Sequence, residues 1–582
     1  MDKILAKFKS KKTNWLEKGL IVFQVVLLGI FFYWIFRYAM NRYFDSDEFA
    51  HLYWSHRLVL GERPYTDFFY FMPPFFLYTL LPLFKISGQS ALILLLGRGL
   101  AFGIFLLTSA ILFFLIKEIK NGKVALLTVL AFAYLPIPSD KWIEIRPDGL
   151  SILFSLSGMY FLVKSIKKGK FLNFFLSGLF YAVAIGISPK MVFFLIAAVG
   201  VIIIQMVFLA RRHPPAGGLA PLSFSLGFLI PVVAICILLF SYGDFGKAIL
   251  LMTKIASEAS KTLGMRFPIS VNFLFYPNDT YYGTYGYSLQ WTLNLIIWLV
   301  GAIWGIISLV SSGAEEKREN ILIKLLVASS FIISFIAYIK IFPLKHEQYL
   351  LPISPFIAYY FADLVMAIST KVKFRKLGLM ILIVLIFWAG KDLYRRKLQW
   401  KNQGLSYYAE IYNKLPRGEA VVDLTGESIF TKSGYYFCCI PYGQYESALL
   451  FKYPKLEDSL REKQVKYIYV SGPGRLAVIP LYQASLIRQY YLFDPPYTPT
   501  GFMTAGTTVR FEKGNSEKEI DLIVSGNYSL VENEKTLTDQ ELPRLAMVDG
   551  LLPLQNPLFL KAGKHKINFS RAGELKIIYS GK

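Results

Sequence analysis

Long apolar stretches dominate the first two thirds of the chain. A transmembrane helix needs about 20 apolar residues, because the hydrocarbon core is about 30 Å thick and each helical residue rises about 1.5 Å. Two of the stretches, 124–137 and 150–163, are short enough to be core or half-membrane helices. The predicted spans are 20–40, 89–116, 124–137, 150–163, 171–187, 191–210, 219–241, 290–310, 321–339, 350–368 and 377–394. The pattern predicts a polytopic α-helical membrane protein.

Loop charges set the predicted orientation of these spans. The lysine-rich segment before 20–40 is typical of an uncleaved signal anchor with a cytoplasmic N-terminus. The apolar stretch 68–84 is interrupted by prolines, and counting it as a span would place every later basic loop outside. We therefore predict a re-entrant or interfacial helix there. The basic loops then assigned to the cytoplasm contain Lys117, Lys120, Lys123, Lys164, Lys167, Lys168, Lys170, Arg211, Arg212, Lys317, Arg318, Lys324, Lys371, Lys373, Arg375 and Lys376.

The net charge of +24 follows largely from this orientation. Of the 582 residues, 63 are Lys or Arg and 39 are Asp or Glu, a balance that in a soluble protein would suggest nucleic acid. Because most of the surplus lies in short predicted cytoplasmic loops, we predict no nucleic-acid partner. One cluster contradicts the rule, since it follows the last span on the predicted outer side: Lys391, Arg395, Arg396 and Lys397.

Composition changes after residue 395. We predict a membrane domain at 1–395 and a soluble extracytoplasmic domain at 396–582, which has no stretch long enough to cross a bilayer. Its first half, with β-rich runs at 420–424 and 467–470, suggests an α/β part, and its second half is β-rich. Three cysteines are too few for a disulfide framework.

Ionisable residues cluster in the loops predicted to face outward. A charged group at the centre of a membrane helix costs about 2.5–3.5 kcal/mol on insertion scales, so those that persist usually line a cavity. Taken singly, an acid or a lysine in an outer loop is more often an ordinary solvated residue. The residues concerned are Asp45, Asp47, Glu48, His51, Asp140, Glu144, Arg146, Asp148, Lys190, Lys345, His346 and Glu347.

Short motifs in these loops resemble one family of membrane enzymes. They are DSDEFAH at 45–51, GERPYTDFF at 61–69, PPF at 73–75, GQS at 88–90 followed by Arg98, RPDGL at 146–150, GISPK at 186–190 and QYLLPISP at 348–355. Their order and sidedness over about residues 15–390 resemble the GT-C superfamily of membrane glycosyltransferases, in the protein-mannosyltransferase-like branch that includes lipid A aminoarabinose transferases.

This resemblance implies an inverting glycosyltransferase at the outer face of the cytoplasmic (inner) membrane, part of cell-envelope, lipopolysaccharide or protein glycosylation. The donor would be a sugar on a polyprenyl phosphate, and the acceptor a glycan, lipid or protein. In the family the acidic pair of the first loop supplies the general base, which assigns Asp47 with Glu48 beside it and leaves Asp45 as the competitor.

Further site residues follow from the chemistry of this reaction. Charge develops on the leaving phosphate, so a cation must meet it. Lys190 is the first candidate because it lies at a membrane-level turn, followed by Arg146 and His346, with Asp148 in the same set. We expect Arg98 to pair with Asp148 or another acid as a structural residue. Acceptor binding is assigned to Tyr65, Asp67 and Tyr282, the last within an aromatic and glycine-rich tract at 275–287. Such a tract more commonly anchors a protein at the lipid headgroups, and the sharper hypothesis is a lid over the acceptor.

Two alternatives stay open. Aminoarabinose transferases carry an acid and a lysine before the Pro-Pro pair, where the acid helps to bind a metal, but the residues at 70–72 are Tyr, Phe and Met. We therefore predict no cofactor, although Asp45, Asp47, Asp148 and His346 could hold a divalent ion. The alternative function is a transporter or flippase of a lipid-linked sugar, which would need polar residues along a whole crossing path and often shows internal repeats.

Overall fold

Helices build the first two thirds of the chain. The computed structural model describes residues 2–210, 214–255, 258, 282–283, 286–310, 317–342, 345–371, 375–399, 404–415, 418–439, 452–471, 473–493 and 501–581. In chain order the α-helices are α1 (Asp2–Asn41), α2 (Ser46–Val59), α3 (Phe75–Ser87), α4 (Leu92–Ile119), α5 (Gly122–Tyr134), α6 (Pro136–Trp142), α7 (Pro147–Lys168), α8 (Phe171–Ile187), α9 (Val192–Ala210), α10 (Pro214–Ser241), α11 (Phe245–Leu250), α12 (Leu289–Val310), α13 (Arg318–Ile336), α14 (Ser354–Lys371) and α15 (Arg375–Lys397). Short 3-10 or π segments are Pro189–Met191, Leu251–Ile255, Ala337–Ile341 and Glu347–Leu350.

Each predicted span except 124–137 falls largely on one of these helices, and 124–137 runs from α5 into α6. Among the described residues, eight helices are long and apolar enough to cross a membrane, or nine if α5 and α6, bent by 76°, form one span. Helices α8 and α14 are apolar but shorter, and α7 extends well beyond the predicted 150–163. The prediction of a multi-pass helical membrane protein is confirmed.

The helix predicted within 68–84 begins later than expected. Residues 68–74 are not helical, and α3 starts after Pro74. A proline disfavours helical backbone in the residue that precedes it, so the Pro73-Pro74 pair keeps the preceding segment out of the helix. The sequence prediction therefore placed the helix start several residues too early.

The last third of the chain folds around two sheets. Its helices are α16 (Gly404–Lys414), α17 (Leu456–Glu462), α18 (Leu481–Tyr490) and α19 (Leu542–Leu545). Its strands are β1 (Ala420–Asp423), β2 (Lys432–Ser433), β3 (Tyr467–Tyr469), β4 (Tyr491–Leu492), β5 (Phe502–Phe511), β6 (Ser516–Leu522), β7 (Gly526–Glu532), β8 (Lys535–Thr536), β9 (Ala546–Val548), β10 (Leu558–Leu560), β11 (Gly563–Phe569) and β12 (Gly573–Tyr579).

The long strand β5 joins the α/β and β-rich parts. The larger sheet has the order β10-β7-β12-β5-β3-β1-β2, in which β1 pairs in parallel with β2 and β3, and the other pairs are antiparallel. The smaller sheet has the order β6-β11-β9 and packs on the larger one through a core that includes Phe511, Leu530, Ile567, Phe569 and Ile577. The expected α/β and β-rich character is confirmed, although the two parts share one sheet.

Helix α2 lies between the membrane helices and this C-terminal region. On one side Arg57 donates to the carbonyl of Ile429 at 3.1 Å, and the ring of Phe49 lies 4.6 Å from that of Tyr408. The adjacent Cys438 and Cys439 form a disulfide in the same contact region. Helix α2 is therefore held against the C-terminal region by a hydrogen bond and by aromatic packing.

Candidate functional site

A capping box fixes the start of α2. Asp45 is the N-cap residue, and its side chain accepts from the backbone N–H of Asp47 at 3.0 Å. The backbone N–H of Asp45 donates in return to Glu48 Oε2 at 2.8 Å. The acid at the cap followed three residues later by Glu is the sequence signature of this motif. It places Asp47 in the first turn, with its side chain 48% exposed.

Glu48 points the opposite way and anchors three segments together. Its carboxylate is fully buried, pairs with the Arg98 guanidinium (Nη2 to Oε2, 2.6 Å) and accepts from the backbone N–H of Ile145 at 3.1 Å. Arg98 also donates to the carbonyls of Ala39 and Tyr43, each at 2.8 Å. Arg98 thus pairs with Glu48 and not with Asp148, and this pair ties α2 to α4 and to the start of α7.

Arg146 brings the second outer loop to Asp47. It precedes α7, its guanidinium donates to Asp47 Oδ2, and it also lies 3.5 Å from Asp148 Oδ2 and 3.7 Å from Glu144 Oε2. Burial opposes ionisation of Asp47, but the positive charge of Arg146 outweighs it and lowers the pKa of that carboxyl to about 2. Asp47 is therefore ionised at neutral pH and paired in the absence of substrate.

A second ion pair lies beside the first. Asp148, in the first turn of α7, is 2% exposed and accepts from Lys190 Nζ at 2.8 Å. Lys190 also lies over the ring of Tyr349, 4.3 Å from its centroid, and is 23% exposed. Because Arg146 contacts both Asp47 and Asp148, the two pairs form one continuous group that we call the outer charge cluster: Asp47, Arg146, Asp148 and Lys190.

Two histidines border this cluster. His51 lies one turn after Asp47, and His346 immediately precedes the 3-10 segment Glu347–Leu350. Burial is the main cause that lowers the pKa of His346, and the charges of Arg146 and Asp47 reach its ring. The next residue along the chain, Glu347, lies 3.3 Å from Lys141. Lys345, which precedes His346, donates to the carbonyls of Tyr338 and Ile339 at 2.7 and 2.9 Å.

Sequence reasoning missed a buried ionic network behind the cluster. Arg42 at the end of α1 lies 2.7 Å from Glu144 and 3.2 Å from Asp140, and Lys397 at the end of α15 lies 3.0 Å from Asp140. These side chains are almost fully enclosed. In the sequence Arg42 is a basic residue just after the first predicted span, a position where basic residues are common, so nothing marked it as part of a network.

The same network accounts for one member of the basic cluster that contradicted the charge rule. Lys397 is 1% exposed and neutralises buried Asp140. A lysine that balances a buried acid carries no topological signal. The other three residues of the cluster, Lys391, Arg395 and Arg396, are exposed, and Arg395 lies 3.2 Å from Asp392.

Each of the residues assigned to acceptor binding has a polar contact with a residue outside the cluster. Tyr65 is fully buried, with a backbone φ of 67°, and its hydroxyl donates to the carbonyl of Met72 at 2.5 Å. Asp67 pairs with Arg63 (Nε to Oδ2, 3.1 Å). Tyr282 is buried in the helical bundle and accepts from Asn294 Nδ2 at 3.1 Å. Most of the predicted lid, at 275–281 and 284–285, falls outside the described residues.

The structure describes all four residues that the sequence analysis considered for a divalent ion, Asp45, Asp47, Asp148 and His346. Asp47 contacts Arg146, and Asp148 contacts Lys190. Within the part of the chain that the structure describes, no group of three or more His, Cys, Asp or Glu side chains could hold a metal ion. The geometry therefore gives this ligand set no support.

Part of the chain that contains this cluster matches a known protein family. Residues 72–234 match the family Dolichyl-phosphate-mannose-protein mannosyltransferase. The predicted resemblance to membrane glycosyltransferases is confirmed. The match covers less than half of the chain. The matched range contains Arg146, Asp148 and Lys190, whereas Asp47 precedes it.

Solved structures of membrane glycosyltransferases share low similarity with the chain. The archaeal oligosaccharyltransferase AglB from Archaeoglobus fulgidus is 12% identical, with a TM-score of 0.46 over 83% of this chain and 74% of that one. ArnT from Cupriavidus metallidurans is 12% identical, with a TM-score of 0.47 over 82% and 96%. The arabinosyltransferase EmbB from Mycobacterium smegmatis is 9% identical, with a TM-score of 0.34 over 95% and 64%. No curated protein matches the chain.

Proposed function

We propose that this protein is an inverting glycosyltransferase that moves a sugar from a polyprenyl-phosphate donor to an acceptor at the outer face of the cytoplasmic membrane. The observation that carries the proposal is the outer charge cluster, in which a half-exposed carboxylate adjoins two cations and a buried acid. The C-terminal domain would lie on the same, extracytoplasmic side. The predicted charge sidedness of the loops supports this orientation.

Asp47 is the proposed general base. An acceptor hydroxyl is a weak nucleophile until a carboxylate takes its proton in the transition state, which contributes about 10²–10⁴-fold. Asp47 is the exposed acid of the first loop, while Glu48 is enclosed by Arg98 and Asp45 serves as the helix cap. In a single displacement the acceptor oxygen bonds to the anomeric carbon as the bond from that carbon to the phosphate oxygen breaks.

Lys190 and Arg146 are the proposed partners of the leaving phosphate, with His346 beside them. The polyprenyl phosphate gains negative charge as it leaves, so cations placed there stabilise the transition state. In the absence of substrate both cations contact carboxylates. A donor phosphate that competes for Arg146 would weaken its hold on Asp47 and raise the pKa of that carboxyl, which makes Asp47 a stronger base once the donor has bound.

The proposed reaction needs no metal ion, because two basic side chains already stand where charge develops. Asp148 would orient Lys190 toward the phosphate and keep its charge balanced before the donor arrives. Adding chelator to the purified protein should leave transfer unchanged, and a loss that Mg²⁺ or Mn²⁺ restores would contradict this assignment.

The decisive experiment is a direct transfer assay. Purified full-length protein in detergent is incubated with labelled undecaprenyl-phosphate-linked sugars and with lipid A, glycan or peptide acceptors. The proposal expects release of undecaprenyl phosphate together with a labelled product of inverted anomeric configuration. Movement of the labelled donor across vesicles without product would instead support a flippase.

A further inference from the structure

His51 is a buried histidine whose Nδ1 has no hydrogen-bond partner among the described residues. The side chain is 4% exposed. The ring lies edge-on to Trp54 and Phe76, at centroid distances of 5.6 and 5.1 Å. Buried polar groups are nearly always satisfied in native proteins, so an unpartnered one needs an explanation.

Trp54 repeats this feature three residues further along α2. Its indole is 2% exposed, and its Nε1–H is enclosed without a partner among the described residues. Residues three apart on a helix are neighbours on its surface. Two adjacent polar atoms of α2 are therefore enclosed by aromatic rings and left without partners. Aromatic walls with a few unpaired polar groups are the usual composition of a small-molecule site.

The ring of His51 is close enough to both ion pairs of the cluster to feel their charges. Its ring interacts electrostatically with Asp47 and Arg146 and also with Asp148 and Lys190. In the proposed reaction the acceptor approaches Asp47, and the phosphate departs toward Lys190. In this reaction the transferred sugar would lie between Asp47 and Lys190, and His51 is close enough to interact electrostatically with both of them.

The electrostatic surroundings of His51 keep its ring neutral. Burial and the nearby Arg146 lower its pKa to about 4, although Asp47 and Asp148 act in the opposite direction. A neutral imidazole donates from one nitrogen and accepts at the other. That pair of roles matches a hydroxyl group, which also donates and accepts, better than it matches a phosphate.

We propose that His51, with Trp54 beside it, binds a hydroxyl group of the donor sugar. This inference rests on the proposed function and adds to it a residue that selects the sugar independently of the phosphate. His51 is thus a sugar-binding residue, distinct from the base and from the phosphate-binding cations.

The test compares binding of undecaprenyl phosphate with binding of the same lipid carrying the hexose that the wild type transfers. His51→Phe keeps a flat ring of similar size and removes both nitrogens. We expect it to bind undecaprenyl phosphate like the wild type and the sugar-bearing lipid about five- to tenfold more weakly, the range for loss of one good hydrogen bond. A donor lacking the bound hydroxyl should bind wild type and His51→Phe equally.

His56→Phe is the matched control. His56 is on the same helix and is equally buried, but its Nδ1 lies 3.2 Å from Arg57 Nη2, so it already has a partner. We expect His56→Phe to lower thermal stability and to leave the ratio of the two affinities unchanged. If it changes that ratio as much as His51→Phe does, the effect comes from the packing of α2, and the inference is wrong.

The remaining outcomes separate this inference from the proposed function. If the wild type transfers no sugar from any donor, the proposed function fails. If the wild type transfers sugar and His51→Phe binds the sugar-bearing lipid normally, only the role of His51 fails. Equal weakening toward the bare and the sugar-bearing lipid would also overturn it, because it would place His51 at the phosphate or in the fold.

Discussion

Replacing Asp47 by Asn removes a carboxylate from the first turn of α2, and replacing Asp45 by Asn removes the same charge two residues earlier. The structure gives these acids different surroundings. Asp45 caps the helix through a 3.0 Å bond to the N–H of Asp47, a bond that an Asn side chain can also accept. Asp47 is half-exposed and contacts Arg146. The pair of variants therefore separates capping from catalysis.

The expected magnitudes follow from these contacts. Asp47→Asn should lower kcat by about 10²–10⁴-fold, the usual contribution of a general base. Its effect on stability should be about 1 kcal/mol or less, since Asp47 is half-exposed and Arg146 keeps Asp148 as a partner. Asp45→Asn should change activity only a few-fold, because Asn caps as well as Asp, whereas Asp45→Ala should lower stability by about 1 kcal/mol.

The assay measures single-turnover transfer from a labelled polyprenyl-phosphate sugar together with the apparent unfolding temperature in detergent. Asp47→Asn should lose turnover at an unchanged unfolding temperature. Asp45→Ala should keep most of its turnover and unfold at a lower temperature. Full activity in Asp47→Asn, or a loss in Asp45→Asn equal to that in Asp47→Asn, would refute the assignment of the base.

Three further predictions test other contacts. Because Arg146 lowers the pKa of Asp47 to about 2, the base stays ionised as pH falls from 7 to well below 4. In a pH–rate profile, Arg146→Gln should shift the acidic limb of kcat/KM to higher pH, toward the ordinary carboxyl pKa near 4. Arg98→Met should lower stability by about 3–5 kcal/mol in thermal unfolding, because it leaves Glu48 buried and unpaired. The double variant that adds Glu48→Gln should recover part of this lost stability. Lys190→Ala should raise the donor KM at least tenfold, Lys190→Arg less, and unchanged donor affinity in both would exclude this lysine from the phosphate site.

Helix positions followed closely from the sequence because hydrophobic length has a direct physical meaning in a bilayer. A segment either is or is not long enough to span the hydrocarbon core, whatever its neighbours are. The sequence also contains the signature of the capping box at the start of α2, with Asp45 followed three residues later by Glu48, but the prediction treated this segment as a loop and missed the helix. The start of α3 was misplaced because the prediction followed the apolar run and did not use the Pro73-Pro74 pair to set the boundary.

Pairing between distant charges did not follow from the sequence. Glu48 and Asp47 are adjacent, yet one is enclosed by Arg98 and the other faces Arg146 and solvent. Period and spacing show that neighbouring helix residues point in different directions, but they do not say which direction is the interior. The same limit hid the contact of Lys397 with Asp140, which joins residues 257 positions apart.

The sequence by itself determined the class of the molecule: the apolar stretches, the sidedness of the loop charges and the order of the short motifs. Only the tertiary structure decided which ionisable groups meet. Hydrophobic burial is non-directional and depends on local composition, whereas an ion pair in a low-dielectric interior depends on a few ångströms between groups far apart in the chain. For that reason the outer charge cluster and the unpartnered Nδ1 of His51 became visible only after folding brought α2, α7 and the loop at Lys190 together.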